Sequence, residues 1–219
     1  MYPTPTDSPI QRRLLLVRHA KACEDQGRGD HARPLSPQGI EQAQALGAWL
    51  ETAQAWPDQV LCSTAARTRQ TLETFGKSLP TLWIDSLYLA SAGEMVHQLR
   101  RLPDTVQDVM IVGHNPGIPA VLALLTGSYA EESDADRLLL SFPTAGCAAL
   151  SFTLDHWRDI APQIFLRFSR VQDGGIVPDQ LHCTPRRAAA HQHLRESRTR
   201  VNNLSGDDKA QKKYRPRHV

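Results

Sequence analysis

Two histidines and two arginines in this chain stand where apolar runs end. Leu14-Leu15-Leu16-Val17 leads into Arg18-His19-Ala20, and Val109-Met110-Ile111-Val112 leads into Gly113-His114-Asn115-Pro116-Gly117. Val60-Leu61-Cys62-Ser63 leads through Thr64-Ala65-Ala66 to Arg67. A neutral imidazole is a nucleophile, and a guanidinium is an always-charged planar clamp for phosphate oxygens. Two of each suit transfer of a phosphoryl group through a phosphorylated histidine, a reaction that asks for positioning and charge. Taken singly, a strand-end histidine is more often structural and a loop arginine is usually a solvated charge. Three such segments together favour the functional reading.

For these groups to meet, the apolar runs must be strands of one sheet. Buried strands of a parallel sheet read as short continuous apolar runs, and ligands of open α/β sheets gather outside the carboxyl ends of the strands. Strand and helix patterns alternate, which predicts an α/β domain with a mainly parallel sheet covered on both faces. Ser36 and Pro37 supply an N-cap and first-turn proline for a helix near 37–55, with Ile40, Ala43, Leu46, Gly47 and Leu50 on one stripe and Trp56-Pro57 ending it. Ser63 and Thr64 offer an N-cap for a second helix over about 64–78. Arg67 then lies in its first turn, where free backbone N–H groups favour an anion, and Arg69 faces another side. Further helices are expected near 92–102 and from Pro116 to Thr126, and further strands at Cys147–Leu154 and Ile164–Phe168. Gly127–Asp136, with four acidic residues, reads as a surface loop. Pro143-Thr144-Ala145-Gly146 reads as a loop ahead of a strand.

The chain has 219 residues, which suits one domain of ordinary size, here 12–184, after a disordered lead-in over 1–11. No apolar stretch approaches the ~20 residues of a membrane span, and the first residues lack the basic and apolar segments of a signal peptide. Cys23, Cys62, Cys147 and Cys183 are scattered without C-x-x-C spacing, so neither a zinc site nor a disulfide framework is indicated and a cytoplasmic location is expected. Cys62 is expected to be buried and Cys23 accessible. Residues 185–219 hold ten Lys and Arg against three Asp and Glu, leaving 15 basic against 20 acidic residues in 1–184. The net charge of +2 thus conceals a body of −5 and a tail of +7. That tail reads as a flexible, solvated charge run with a helix-forming composition over 186–199, the alternative being contact with nucleic acid or an anionic surface.

The three segments resemble the histidine phosphatase superfamily, the phosphoglycerate-mutase-like phosphatases. Arg18-His19-Ala20 is similar to its Arg-His-Gly signature, Ser63 to Thr71 to its Ser-x-x-x-Arg-x-x-x-Thr segment, and Gly113-His114 to the segment of its second catalytic histidine. Val17-Arg18-His19-Ala20-Lys21, Arg33-Pro34-Leu35-Ser36-Pro37-x-Gly39 and Gly113-His114-Asn115-Pro116-Gly117 resemble the bacterial SixA-type phosphohistidine phosphatases, in which Ala at position 20 is usual. The similarity spans roughly 12–182. It implies a three-layer α/β/α sandwich with a mainly parallel mixed sheet and one late antiparallel strand. It implies His19 as nucleophile, with Arg18, Arg67 and His114 as the other catalytic groups, and substrate contacts from Arg33, Ala20 and Asn115. It implies, equally with the plain-loop reading, that the backbone of Pro143-Thr144-Ala145-Gly146 lines the site. Without the resemblance, Arg33 reads equally as a solvated loop charge. No cofactor and no metal are implied, and the partner would be a phosphohistidine-bearing protein, a phosphotransfer domain or phosphocarrier.

One family feature is missing. Mutase and phosphomonoesterase relatives carry a glutamate soon after the third strand as general acid for an alkoxide. Here Ile84-Asp85-Ser86-Leu87-Tyr88-Leu89-Ala90-Ser91-Ala92-Gly93-Glu94 has no acid after Leu87, and Glu94 reads as a first-turn helix residue. An alkoxide needs a proton to leave, whereas the nitrogen of a phosphoramidate is protonated near neutral pH. The gap therefore favours a P–N substrate, with Glu94 or Asp85 as acid the alternative. Other readings are a phosphatase for a small metabolite and a non-catalytic phosphoprotein-binding module, the latter disfavoured by the intact His19.

Overall fold

A computed structural model of the chain describes residues 10–126, 142–161, 170–172 and 175–177. The apolar run at Leu14–Val17 forms the centre of β1 (Gln11–Arg18), and these four residues are at most 1% exposed. Burial on both faces explains why the run is continuous rather than alternating. Leu14 and Leu16 point into one core and Leu15 and Val17 into the other, as the two-residue period of a strand requires.

Seven strands form one mixed sheet in the order β3-β2-β4-β1-β5-β6-β7. β2 (Gln59–Ser63), β3 (Thr81–Ile84) and β4 (Asp108–Gly113) run parallel to β1. β5 (Cys147–Thr153) is antiparallel to β1, and β6 (Arg170–Gln172) and β7 (Gly175–Val177) continue the antiparallel side. α1 (Pro37–Thr52) and α2 (Ala66–Thr74) cover one face, around Leu46, Leu50, Leu72 and Phe75. α3 (Ala92–Arg100) and α4 (Gly117–Thr126) cover the other, around Met95, Leu99, Ile118 and Leu122. The layers are those expected of an α/β/α sandwich, and every described residue belongs to the unit Met1–Cys183.

Several local expectations change. β5 is the expected late antiparallel strand, beyond which the sheet continues through β6 and β7 by antiparallel pairing, and the expected strand at 164–168 lies outside the described residues, as do the acidic loop, Cys183 and the tail. Ile40 is 43% exposed, because the buried stripe of α1 runs through Gly39, Ala43, Leu46, Gly47 and Leu50. The N-cap of α2 is Ala65, without a side-chain bond, because Ser63 is still in β2. Ser36 does cap α1, accepting from the Gly39 N–H, with Pro37 first in the helix.

The Ser36-Pro37-x-Gly39 pattern has a steric reason. A Cβ on Gly39 would stand 2.0 Å from the Lys21 carbonyl oxygen, so only glycine lets α1 start against the segment after β1. Ser36 N–H bonds that same carbonyl, and an antiparallel bridge between Ala22 and Leu35 closes the loop between them.

Candidate active site

Sheet register brings the three motifs together. Arg18 pairs with Gly113 across β1 and β4, and Cys62 pairs with Val112 across β2 and β4. The residues following each strand, His19, Thr64 and His114, therefore leave the sheet at one edge. The His19 backbone is fastened on both sides, its N–H to Gly113 O at 3.0 Å and its carbonyl to Ala145 N at 3.1 Å. Ala145 holds φ +56, a left-handed conformation that L residues adopt at a cost and that recurs at functional sites. The Pro143–Gly146 loop thus frames the site through its backbone.

The His19 and His114 rings lie 5.1 Å apart between centroids. Nδ1 of His19 is 2.7 Å from the Ala20 carbonyl, which makes Nδ1 the protonated nitrogen and puts the lone pair on Nε2. Arg67 Nε donates to that lone pair at 3.2 Å. His114 Nε2 lies 2.9 Å from Ser63 Oγ, whose own lone pair takes the Ala65 N–H. With the hydroxyl hydrogen assigned to Nε2, the proton of His114 falls on Nδ1. This nitrogen is buried and unpartnered among the described residues, as are Arg18 Nε and Asn115 Oδ1. Buried polar atoms are seldom left so.

Burial keeps both imidazoles neutral. It pulls the His19 pKa down to about 4, with Arg67, Arg18 and Arg33 adding to the fall and the Ala20 bond opposing it. Burial takes His114 down to about 3, helped by Arg67 and His19. A neutral ring beside cationic arginines is both a nucleophile and a hydrogen-bond donor to an oxyanion.

Each expected site residue has a defined place. Arg67 is 4% exposed in the first turn of α2, while Arg69 points away, its guanidinium over the Trp83 ring. Arg18 gives Nη1 to Phe142 O, and Asn115 gives Nδ2 to the same carbonyl. Ala20 is fully buried, with its N–H on Thr71 Oγ1 at 3.0 Å and its carbonyl on His19 Nδ1, so among the described residues both of its backbone groups are engaged in fastening His19. Arg33 is engaged, with Nε on Cys23 O and Nη1 on Asp30 Oδ1. Glu94 stands apart, bonded to Ser86 and Gln98 on the surface, and Asp85 takes the Thr64 hydroxyl. Cys62 is fully buried, as expected, whereas Cys23, expected to be accessible, is half-buried with its Sγ 3.5 Å from the Leu35 carbonyl oxygen.

Sequence reasoning missed Asp30 and Tyr88. Asp30 accepts from Arg67 Nη2 at 2.9 Å, Arg33 Nη1 at 2.7 Å and the Tyr88 hydroxyl at 2.7 Å. Tyr88 meets His114 edge-on at 5.4 Å, and the Arg67 guanidinium sits 5.8 Å from its ring centre. The one available signal was an Asp three residues before Arg33, within reach for an ion pair. Among the described residues, no group of three or more His, Cys, Asp or Glu could hold a metal, and no helix is long and apolar enough to cross a membrane.

Comparison with known proteins agrees with this geometry. The model of the histidine phosphatase superfamily (branch 1) matches residues 14–87. An uncharacterised protein of Mycobacterium tuberculosis is 40% identical over 149 residues, 67% of this chain and 92% of that one. A solved structure of a candidate phosphohistidine phosphatase SixA from Nakamurella multipartitia is 36% identical, covers 73% of this chain and 96% of its own, and superposes with a TM-score of 0.64. The phosphohistidine phosphatase SixA of Escherichia coli is 28% identical over 148 residues, 65% of this chain and 85% of that protein.

Proposed function

This chain belongs to the histidine phosphatase superfamily, in its SixA-type group, and we propose that it removes the phosphoryl group from phosphohistidine in a protein. His19 Nε2 attacks phosphorus, and the phosphoryl oxygens take N–H groups from Arg18, Arg67 and His114 Nδ1. Asn115 lies beside them as a further substrate contact. Water then releases phosphate from His19. The two arginines supply the positive charge, so the reaction proceeds without a metal ion or cofactor.

One observation carries the choice of substrate. Every carboxylate near the pocket among the described residues is engaged and none is poised to give a proton. Asp30 is held well below the usual carboxylate range, first by the Tyr88 hydroxyl and then by Arg33. Glu94 is lowered by its bonds to Gln98 and Ser86. An alkoxide would have to leave unassisted, whereas imidazole needs no such acid. The proposed substrate is a histidine on a phosphotransfer domain or phosphocarrier of the cytoplasm. A small phosphorylated metabolite is the competing reading within this family.

The test is a side-by-side assay on a phosphohistidine protein and a panel of alkyl and aryl phosphates, with and without chelator. Turnover should fall by orders of magnitude from phosphohistidine to alkyl phosphate, with aryl phosphates between, and chelation should change nothing. Efficient hydrolysis of a sugar phosphate would reject the P–N reading, and a requirement for divalent ion would reject the assignment of charge to the arginines. The segment 185–219 is proposed to lie outside the catalytic unit, and its deletion should leave small-substrate activity within about twofold.

A further inference from the structure

Asp30 lies at the mouth of the pocket. The loop that carries it is closed at its base by the Ala22–Leu35 bridge. Its side chain is 44% exposed, against 4% for the Arg67 side chain it touches. Oδ2 takes Arg67 and Tyr88, and Oδ1 takes Arg33. Three donors from three parts of the chain hold one ionised carboxylate over the phosphate-binding arginines.

A fixed negative charge there weakens the pull of Arg67 and Arg33 on any dianion. It becomes an advantage only if the substrate carries a positive charge beside its phosphoryl group. An alkyl or aryl ester carries none. A phosphorylated imidazole does, because protonation of its second ring nitrogen is what lets the P–N bond break.

The in-line geometry of phosphoryl transfer sets the leaving atom opposite the attacking one. His19 is 9% exposed, at the floor of the pocket, so the leaving group lies on the solvent side, where the Asp30 carboxylate is open. We infer that Asp30 is a specificity-determining residue of this pocket, accepting the N–H of the protonated imidazole that leaves. The inference rests on the phosphohistidine reading above. In the step, the lone pair of His19 Nε2 forms the new N–P bond as the substrate's P–N bond breaks. That bond's electron pair returns to the substrate ring, which departs neutral and keeps the proton on the nitrogen bound to Asp30. Asp30 is ionised before and after. The positive charge passes to the phosphorylated His19 ring, whose Nδ1–H stays on the Ala20 carbonyl.

The experiment measures kcat/KM of the full chain for phosphoimidazole and for p-nitrophenyl phosphate, in the wild type, Asp30→Asn and Asp30→Glu. Both substrates are read on one preparation, so the ratio does not depend on the folded fraction. Asp30→Asn should lower the ratio of phosphoimidazole to p-nitrophenyl phosphate turnover at least tenfold and should bind vanadate more tightly. Asp30→Glu, which keeps the charge, should recover part of the ratio. If both substrates change by the same factor, Asp30 merely competes for Arg67 and its role in specificity is overturned, while the phosphohistidine reading stands. A wild type that prefers the ester overturns that reading and this one with it.

Discussion

The two ends of β1 each hold an arginine, and they use it differently. Arg12 and Arg18 are six residues apart, on the same face of one strand. At the amino end, the Arg12 guanidinium makes five hydrogen bonds to four carbonyl oxygens, those of Leu154, Asp104, Val106 and Asp155. It is 1% exposed, and its guanidinium lies 5.8 Å from the ring centre of Trp157, which shares the Val106 carbonyl with it. At the carboxyl end, Arg18 makes one such bond, to Phe142 O, and its Nε is buried without a partner among the described residues. Burial lowers its pKa. A guanidinium with its donors satisfied is a fastening, and one with donors to spare is able to take a further acceptor. Among the described residues, His114 Nδ1 likewise lacks a partner, and the Asn115 amide oxygen lacks a donor.

The largest effect expected is at the active end. His19→Ala should reduce turnover by about 10⁴-fold or more. Brief mixing with labelled substrate and a non-acid quench should trap acid-labile, alkali-stable label on the wild type and none on the variant. Its melting temperature should hold, since the ring contributes chemistry more than packing. A variant that still accumulates label would move the nucleophile elsewhere.

Arg67→Ala and Arg18→Ala should each remove about 2–4 kcal/mol of transition-state stabilisation, by comparison with deletion of one preorganised donor. Steady-state kinetics on an aryl phosphate measures this, and urea unfolding of Arg18→Ala should show little change. Arg12→Ala is the mirror image. Stranding its buried carbonyls should cost about 2–3 kcal/mol in urea unfolding, with turnover per folded molecule within about twofold of wild type. Loss of activity without loss of stability at Arg12 would erase the contrast between the two ends.

The smallest effect is on pH. The folded pKa values of His19 and His114, about 4 and about 3, lie below the ordinary value of 6.5. Between these limits the unfolded chain binds more protons than the folded one, so the stability from keeping both rings neutral is fully present above pH 6.5 and is lost as pH falls through this window. Each ring should account for about 1 kcal/mol between pH 6.5 and 5.5. Denaturant midpoints across that interval test this, and His19→Ala should flatten the slope by its share.

Sequence by itself determined the central strands and which side chains stand at their ends. Leu14–Val17, Val60–Cys62 and Val109–Val112 are readable because burial on both faces of a sheet demands unbroken apolar residues, and this local pattern survives in any tertiary setting. The groups following those strands then had to share an edge once the strands were parallel. Element boundaries were less legible: Ile40 matched the apolar period of α1 yet faces solvent, since a helix repeat defines a stripe but not which neighbour covers its margin. Only the tertiary structure decided what depends on long loops and on satisfying buried polar groups. Asp30 and Tyr88 are 58 residues apart and meet over Arg67, which is 37 from Asp30. Arg12 closes on carbonyls 92 to 143 residues away. Such contacts leave no periodicity in the chain, because a hydrogen bond to a backbone carbonyl is indifferent to which side chain that residue bears. Whether a buried arginine fastens the fold or awaits a phosphate depends on how many carbonyls reach it, and that is settled only when the strands and loops have closed around it.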